Sequence, residues 1–363
     1  MPNAVDHNPG IEMAGRPCGR DHPPLMVAEL SGNHGGRLEN ALALIDAVAD
    51  AGADLIKIQT YRPDTITIDH DGPGFRIESG LWRGRTLYEL YQEAHTPWEW
   101  HAALFAHARE RGVPLFSSPF DPTAVDLLER LDCPIYKIAS FELVDVGLIT
   151  RVAATGKPVI LSTGMATHEE IDEALATISA CSDVPVVLMH CTSAYPTPLD
   201  QADLNTLPAM IQRYRTPVGL SDHTMGIAAP IAAVALGAAM IEKHLTLERA
   251  DGAVDAAFSL EPAEFRAMAV ACGDAWSALG RVREGPTAAE AAERVNRRSL
   301  YAVTDIAAGE RLTPANVRSI RPGLGLHPRE LPALLGRRAA VTIRRGTAIA
   351  WEMLEDMADG QDG

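Results

Sequence analysis

Lysine is nearly missing from this chain. Of 363 residues, 32 are basic, and only Lys57, Lys137, Lys157 and Lys243 are lysine. With arginine serving as the general surface cation, a lysine that remains is less often an idle charge, so the positions of these four carry weight. Long apolar runs are missing too. No 18 consecutive residues are apolar and uncharged, which leaves no candidate for a membrane-spanning helix. The first 24 residues lack the apolar segment of a secretory signal, and their Gly, Pro and polar content reads as a disordered lead. Five cysteines (Cys18, Cys133, Cys181, Cys191 and Cys272) include no CxxC pair. An odd, dispersed set fits reduced thiols in a cytoplasm and argues against a disulfide framework. The net charge of −16 speaks against non-specific nucleic-acid binding.

What is present is a rhythm. Short apolar segments at 25–30, 54–60, 114–118, 134–140, 157–163, 184–192, 216–221 and 238–246 are each followed by a helical run. Buried apolar strands alternating with amphipathic helices imply a parallel sheet. Eight such units over 25–280 predict a closed (β/α)8 TIM barrel. The alternative is an open doubly wound sheet, but no GxGxxG follows the first strand. One insertion, 61–97, is too long for an ordinary connection and holds Tyr61, Phe75, Trp82, Tyr88 and Tyr91. Long loops at this end of a barrel commonly shape its site, though a packed surface flap is an equal reading.

Beyond Gly280 the pattern changes. Residues 281–295 read as a charged, Ala-rich linker, 296–356 as a small β-rich module cut by Gly/Pro turns, and 357–363 as a tail. Residues 296–354 hold ten Arg and four acids, a charge of +6 that leaves −22 on the remainder. A basic module beside an acidic body suggests that the two dock. A module of this size is small for independent stability.

In a barrel, side chains at strand C-termini form the site. His223 follows the seventh strand and His244 ends the eighth. Adjacent parallel strands run about 4.8 Å apart, so the two imidazoles can share a divalent metal; two core histidines satisfied by hydrogen bonds are the plainer reading. Other strand ends are polar as well: Glu29, Asn33 and His34; Lys57 and Gln59; Ser117 and Ser118; Lys137, Ser140 and Glu142; Ser162 and Thr163; His190, Thr192, Ser193 and Tyr195; Ser221 and Asp222. A single such residue is a helix cap or a core hydrogen bond. Polar groups at nearly every strand end call for a polar ligand. Two lysines among hydroxyls suit a phosphate and a carboxylate, a histidine-held metal polarises a carbonyl, and Glu29 suits proton transfer. Lys243, one place before His244, is expected to point outward.

The stretches AELSGNHGG, GADLIKIQTY, SSPFD, YKIAS, ILSTGM, HCTSAYPTP, GLSDHT and IEKHLTL, with RPGLG in the last module, resemble the sialic acid synthase family from about residue 25 to 355. TLYELYQEAHTPWEW, DAAFSLEP and RSIRPGLGLHP are similar to its pseudaminate-forming branch. The resemblance implies a phosphoenolpyruvate-dependent condensation with 2,4-diacetamido-2,4,6-trideoxy-L-altrose. It implies that Lys57, Ser118, Lys137, Ser140, Ser162, Ser193 and Ser221 hold phosphoenolpyruvate. His223 and His244 would hold Mn²⁺, or Mg²⁺ or Co²⁺. Glu29, Gln59, Tyr195 and Asp255 would face the sugar, with Glu29 handling protons. The last module resembles an antifreeze-like SAF domain, which in the family caps the partner's barrel in a domain-swapped homodimer. Arg321 would then reach the other subunit's sugar. The chain departs from the family at Ala253-Val254-Asp255, where Gly-Pro-Asp is usual, and Ser193 stands where neuraminate enzymes carry Asn.

Rival readings are N-acetylneuraminate or legionaminate synthesis on the same scaffold, a Schiff-base aldolase using a barrel lysine such as Lys137, and an inactive sugar-binding protein. The polar mouth argues against the last, since buried polar groups without a ligand are costly.

Overall fold

The computed structural model describes residues 10–355. The chain forms two compact units, divided after Gly280.

The first unit opens with a two-stranded hairpin, β1 (Ile11–Met13) and β2 (Arg16–Cys18). This corrects the reading of the lead as disordered, at least from residue 10; the part before that lies outside the described residues. The hairpin is ordered because it buries Met13 and Cys18 completely. It packs at the foot of the barrel. The Cys18 thiol donates to the Ala239 carbonyl, just before a barrel strand, and Arg16 pairs with Asp54, just before another, at 2.8 Å.

Eight parallel strands follow: β3 (Leu25–Glu29), β4 (Leu55–Thr60), β5 (Leu115–Pro119), β6 (Tyr136–Ile138), β7 (Val159–Ser162), β8 (Val186–Cys191), β9 (Val218–Asp222) and β10 (Met240–His244). They close into a barrel, β10 pairing with both β9 and β3. All eight expected strands are present, slightly shortened at their ends. Behind them lie α1 (Leu38–Ala51), α4 (His101–Glu110), α5 (Pro122–Glu129), α6 (Val146–Ala153), α7 (His168–Cys181), α8 (Thr206–Tyr214), α9 (Ala228–Ala235) and α10 (Pro262–Leu279). The long insertion adds α2 (Pro63–Ile66) and α3 (Leu87–Ala94). Several helices start where the sequence caps them: Asp121 accepts from the backbone of Thr123 and Ala124, and Thr167 and Glu170 form a reciprocal capping box. The strands bury both faces, which is why they read as continuous apolar runs.

The second unit begins with a short helix, Ala288–Ala291, in the stretch expected to be a linker. It then pairs β11 (Ser299–Ala302) antiparallel with β12 (Val317–Ile320). Leu300, Ile306, Leu312, Val317, Leu334, Ile343 and Ile349 form its own small core. The RPGLG turn is fastened to β11: Ser299 Oγ donates to the Pro322 carbonyl at 2.7 Å and accepts from Gly325 N–H at 2.9 Å. A Cβ at position 325 would meet the Leu300 carbonyl oxygen at 2.5 Å, so only glycine fits there. Arg321, one residue before this clamp, is exposed. The tail at 357–363 lies outside the described residues.

Candidate active site

Strand alternation decides which side chains enter the barrel. Glu29 on β3, Lys57 on β4, Lys137 on β6, Ser221 on β9, and Glu242 and His244 on β10 are all buried, and Gln59 on β4 is partly buried. They meet as one charged network at the C-terminal end. Lys57 Nζ lies 2.6 Å from Glu29 Oε2 and 3.3 Å from Glu242 Oε1. Lys137 Nζ lies 2.6 Å from the same Glu242 Oε1, and Ser221 Oγ donates to it at 3.2 Å. Gln59 Nε2 donates to Glu29 Oε1 and to Ser31 Oγ, each at 3.1 Å.

Glu242 was not among the expected site residues. The alternation that sends Lys243 outward brings Glu242 inward, so the signal was available one residue away. Lys243 does point outward. It is fully buried, lies 2.5 Å from Asp222 Oδ2 and also donates to the Thr224 carbonyl. It ties β10 to the end of β9 and takes no part in the mouth.

The network separates its two carboxylates. Burial pushes the Glu29 carboxyl up, and Lys57 only partly opposes this. Burial acts on Glu242 in the same sense, but Lys137 and Lys57 together bring it down to about 2. Burial would lower Lys57, yet the two carboxylates raise it; at Lys137 burial prevails and the pKa is lowered. Two carboxyls at unlike pKa values divide the labour of acid and permanent counter-charge.

An arc of hydroxyls lies beside this floor. Ser140 Oγ donates to Ser162 Oγ at 3.0 Å and accepts from Gly164 N–H at 3.1 Å. A Cβ at Gly164 would collide with the hydroxyls of both Ser193 and Ser140, so three of the expected serines converge there. Ser118, opposite Gln59 in the β4–β5 register, is fully buried, and its hydroxyl has no protein partner.

The histidine pair forms the third part. The His223 and His244 ring centroids are 5.3 Å apart. His223 Nδ1 faces the Thr192 carbonyl at 3.1 Å; a carbonyl only accepts, so Nδ1 carries the proton and Nε2 is free to ligate. Burial, then His223 and the lysines, hold the His244 pKa well below the usual histidine range, so its ring is neutral. Its Nδ1 is buried without a hydrogen bond, with Asp255 Oδ2 3.9 Å away. Burial opposes a charged His223 ring, but Cys191 and the Thr192 carbonyl outweigh it and raise its pKa; with Nε2 deprotonated, His223 and the neutral His244 present two ring nitrogens that fit a divalent metal. Among the described residues no group of three His, Cys, Asp or Glu side chains is arranged around one point, so other ligands would come from water and substrate. Around the pair stand Tyr195, 4.5 Å from the His223 ring, and Phe258, 4.9 Å from the His244 ring. Phe258 and Cys191, whose thiol lies 3.8 Å from His223 Nδ1, were not foreseen. Asp255 is held by Ser31 and the Gly32 backbone, while burial raises its pKa.

Glu29, Lys57, Lys137, Ser221, His223 and His244 thus lie together at the C-terminal end of the strands, whereas Asp222 pairs with Lys243 and Ser117 bonds Thr60 and the Ile58 carbonyl. Arg321 lies on the second unit. Strand ends lined with lysine, carboxylate, hydroxyl and imidazole define a (β/α)8-barrel enzyme for a small anionic substrate.

The comparisons narrow the class. A family model described as NeuB family matches residues 44–284, and one described as SAF domain matches 297–355. A pseudaminic acid synthase from Campylobacter jejuni is 44% identical over 329 residues, covering 91% of this chain and 96% of its own length. An N,N'-diacetyllegionaminic acid synthase from Legionella pneumophila is 31% identical over 346 residues, 94% of this chain and 97% of its own. A crystal structure of an N-acetylneuraminic acid synthetase from Leptospira borgpetersenii, in complex with citrate, matches with a TM-score of 0.71 at 31% identity. It covers 79% of this chain and 96% of that one. The chain belongs to the NeuB family and carries a C-terminal SAF domain.

Proposed function

We propose that this chain condenses phosphoenolpyruvate with open-chain 2,4-diacetamido-2,4,6-trideoxy-L-altrose, forming pseudaminic acid and inorganic phosphate. The observation that carries the reading is a set of buried polar atoms aimed into the mouth with no protein hydrogen-bond partner: Ser118 Oγ, Glu242 Oε2 and His244 Nδ1. Buried groups of this kind are otherwise satisfied in proteins, and here a multiply polar ligand would satisfy them. The higher identity to a pseudaminate enzyme, 44% against 31% for a legionaminate one, supports the choice of sugar.

Lys57 and Lys137, with Ser118, Ser140, Ser162, Ser193 and Ser221, bind the phosphate and carboxylate of phosphoenolpyruvate. Glu242 remains ionised and keeps both ammonium groups oriented. C3 of phosphoenolpyruvate attacks the aldehyde carbon, and Glu29, held by Gln59, delivers a proton to the aldehyde oxygen as it gains charge. Water then adds to C2, and the C2–O bond breaks to release phosphate and leave the 2-keto acid. His223 and His244 would hold a divalent metal, Mn²⁺ first, which when bound polarises the aldehyde. Tyr195 and Asp255 orient the sugar.

A domain-swapped homodimer completes the reading, with Arg321 of one copy reaching the sugar in the other. Phe141, Val144, Met165, Leu199 and Met225, all just beyond barrel strands at the mouth end, are exposed apolar side chains, an edge that a capping module would cover. The test is phosphate release from phosphoenolpyruvate and Mn²⁺ with the altrose sugar or N-acetylmannosamine, each with and without EDTA. Chelator-sensitive release with the altrose sugar alone is expected. Release with N-acetylmannosamine alone would overturn the sugar, and release unaffected by EDTA would overturn the metal.

A further inference from the structure

The insertion after β4 touches the site through Trp82. Its indole N–H donates to the Val254 carbonyl at 3.0 Å, across 172 positions of sequence. Its ring centroid lies 5.6 Å from that of Tyr195 and 6.5 Å from that of Phe258, so Trp82 backs the two rings that flank the histidines. The residue after Val254 is Asp255.

The backbone there is a β-turn. Ala256 N–H donates to the Ala253 carbonyl at 3.0 Å, and Asp255 sits at φ −110°, ψ 7°, near the values for the third position of a type I turn. Val254 therefore holds the second position. Proline is favoured there because its ring pre-sets φ. Valine supplies no such lock. In this chain the turn's two central carbonyls are held by side chains, that of Val254 by the Trp82 indole N–H and that of Asp255 by Ser259 Oγ at 2.6 Å.

We propose that Trp82 is a positioning residue that fixes Asp255, and through it the fit of the sugar, in place of a turn proline. This rests on the reading of the mouth as a sugar site, so one arm of the test does not depend on turnover. In Trp82→Phe the aromatic packing stays and the N–H is lost. Amide hydrogen exchange across 252–260 should speed up. The KM for the sugar should rise about fivefold, the ratio that corresponds to one hydrogen bond of about 1 kcal/mol, with kcat and the KM for phosphoenolpyruvate unchanged. Adding Val254→Pro to that variant should restore both slow exchange and the original KM. Unchanged exchange in Trp82→Phe overturns the proposal. So does faster exchange with an unchanged sugar KM, or a double variant that is not rescued. If the native chain turns over no sugar at all, the proposed reaction fails while the exchange arm still decides whether Trp82 holds the turn.

Discussion

The two ends of the barrel use opposite chemistry. At the mouth, two lysines and two carboxylates are buried within salt-bridge distance of one another, an arrangement whose desolvation cost is seldom recovered as stability. At the foot, a hairpin buries Met13 and Cys18 and offers one ion pair, Arg16–Asp54, about one-third exposed on each side. Stability and function are thus assigned to different ends, as expected where the strands' C-terminal edge carries the site. Changes at the mouth should remove activity out of proportion to stability, and changes at the foot should do the reverse.

The sharpest way to break this contrast is Lys137→Met, which keeps an unbranched apolar stem one atom shorter and deletes the charge. Phosphate release should fall about 10²- to 10³-fold, as when a group that stabilises developing charge is removed, while Glu242 keeps Lys57 as a partner and the chain still folds. Full activity in this variant would take the lysine floor out of the reaction. Met13→Ala is the matching change at the foot. It should cost about 2–5 kcal/mol in urea unfolding, the range for emptying a buried methionine site, with kcat unchanged at temperatures where the variant is folded. A variant with native stability but lowered kcat would mean that the foot communicates with the site.

Arg321→Ala concerns a third region. If the exposed RPGLG turn caps another copy's sugar, the sugar KM should rise about tenfold, as for a lost charge-assisted hydrogen bond, with Mn²⁺ affinity by calorimetry unchanged. Equal losses in both would remove the capping role and leave Arg321 a general structural charge.

The eight barrel strands were legible because parallel strands buried on both faces are continuous apolar runs, each ended by polar residues. The hairpin at 11–18 was not, since strands of three residues around Gly15 bury only two side chains and offer no period to read. Glu242 was missed for another reason: its position was implied by alternation from His244, but its meaning depends on Lys57 and Lys137, which come from strands far away in sequence. Trp82 lies further from reach. An indole of an insertion and a carbonyl 172 residues on have no common sequence signal. What remains hidden from sequence is which polar groups meet.

The smallest expected effect compares like with like. Arg16–Asp54 at 2.8 Å and Lys137–Glu242 at 2.6 Å are both close ion pairs, but the first is about one-third exposed on each side and the second is buried. Water screens the first, so Arg16→Ala should cost only about 0.2–1 kcal/mol, and less at high salt. Asp54→Ala should cost more than its partner's removal, because the Asp54 carboxylate also accepts the Met26 backbone N–H at 2.9 Å at the start of β3. Losing that acceptor leaves a strand-end donor dependent on water. Urea unfolding of both variants, at low and high salt, separates the two contributions: only the Arg16 cost should shrink with salt. Equal, salt-insensitive losses would show that Arg16 acts through the packing of its stem on the hairpin rather than through its charge.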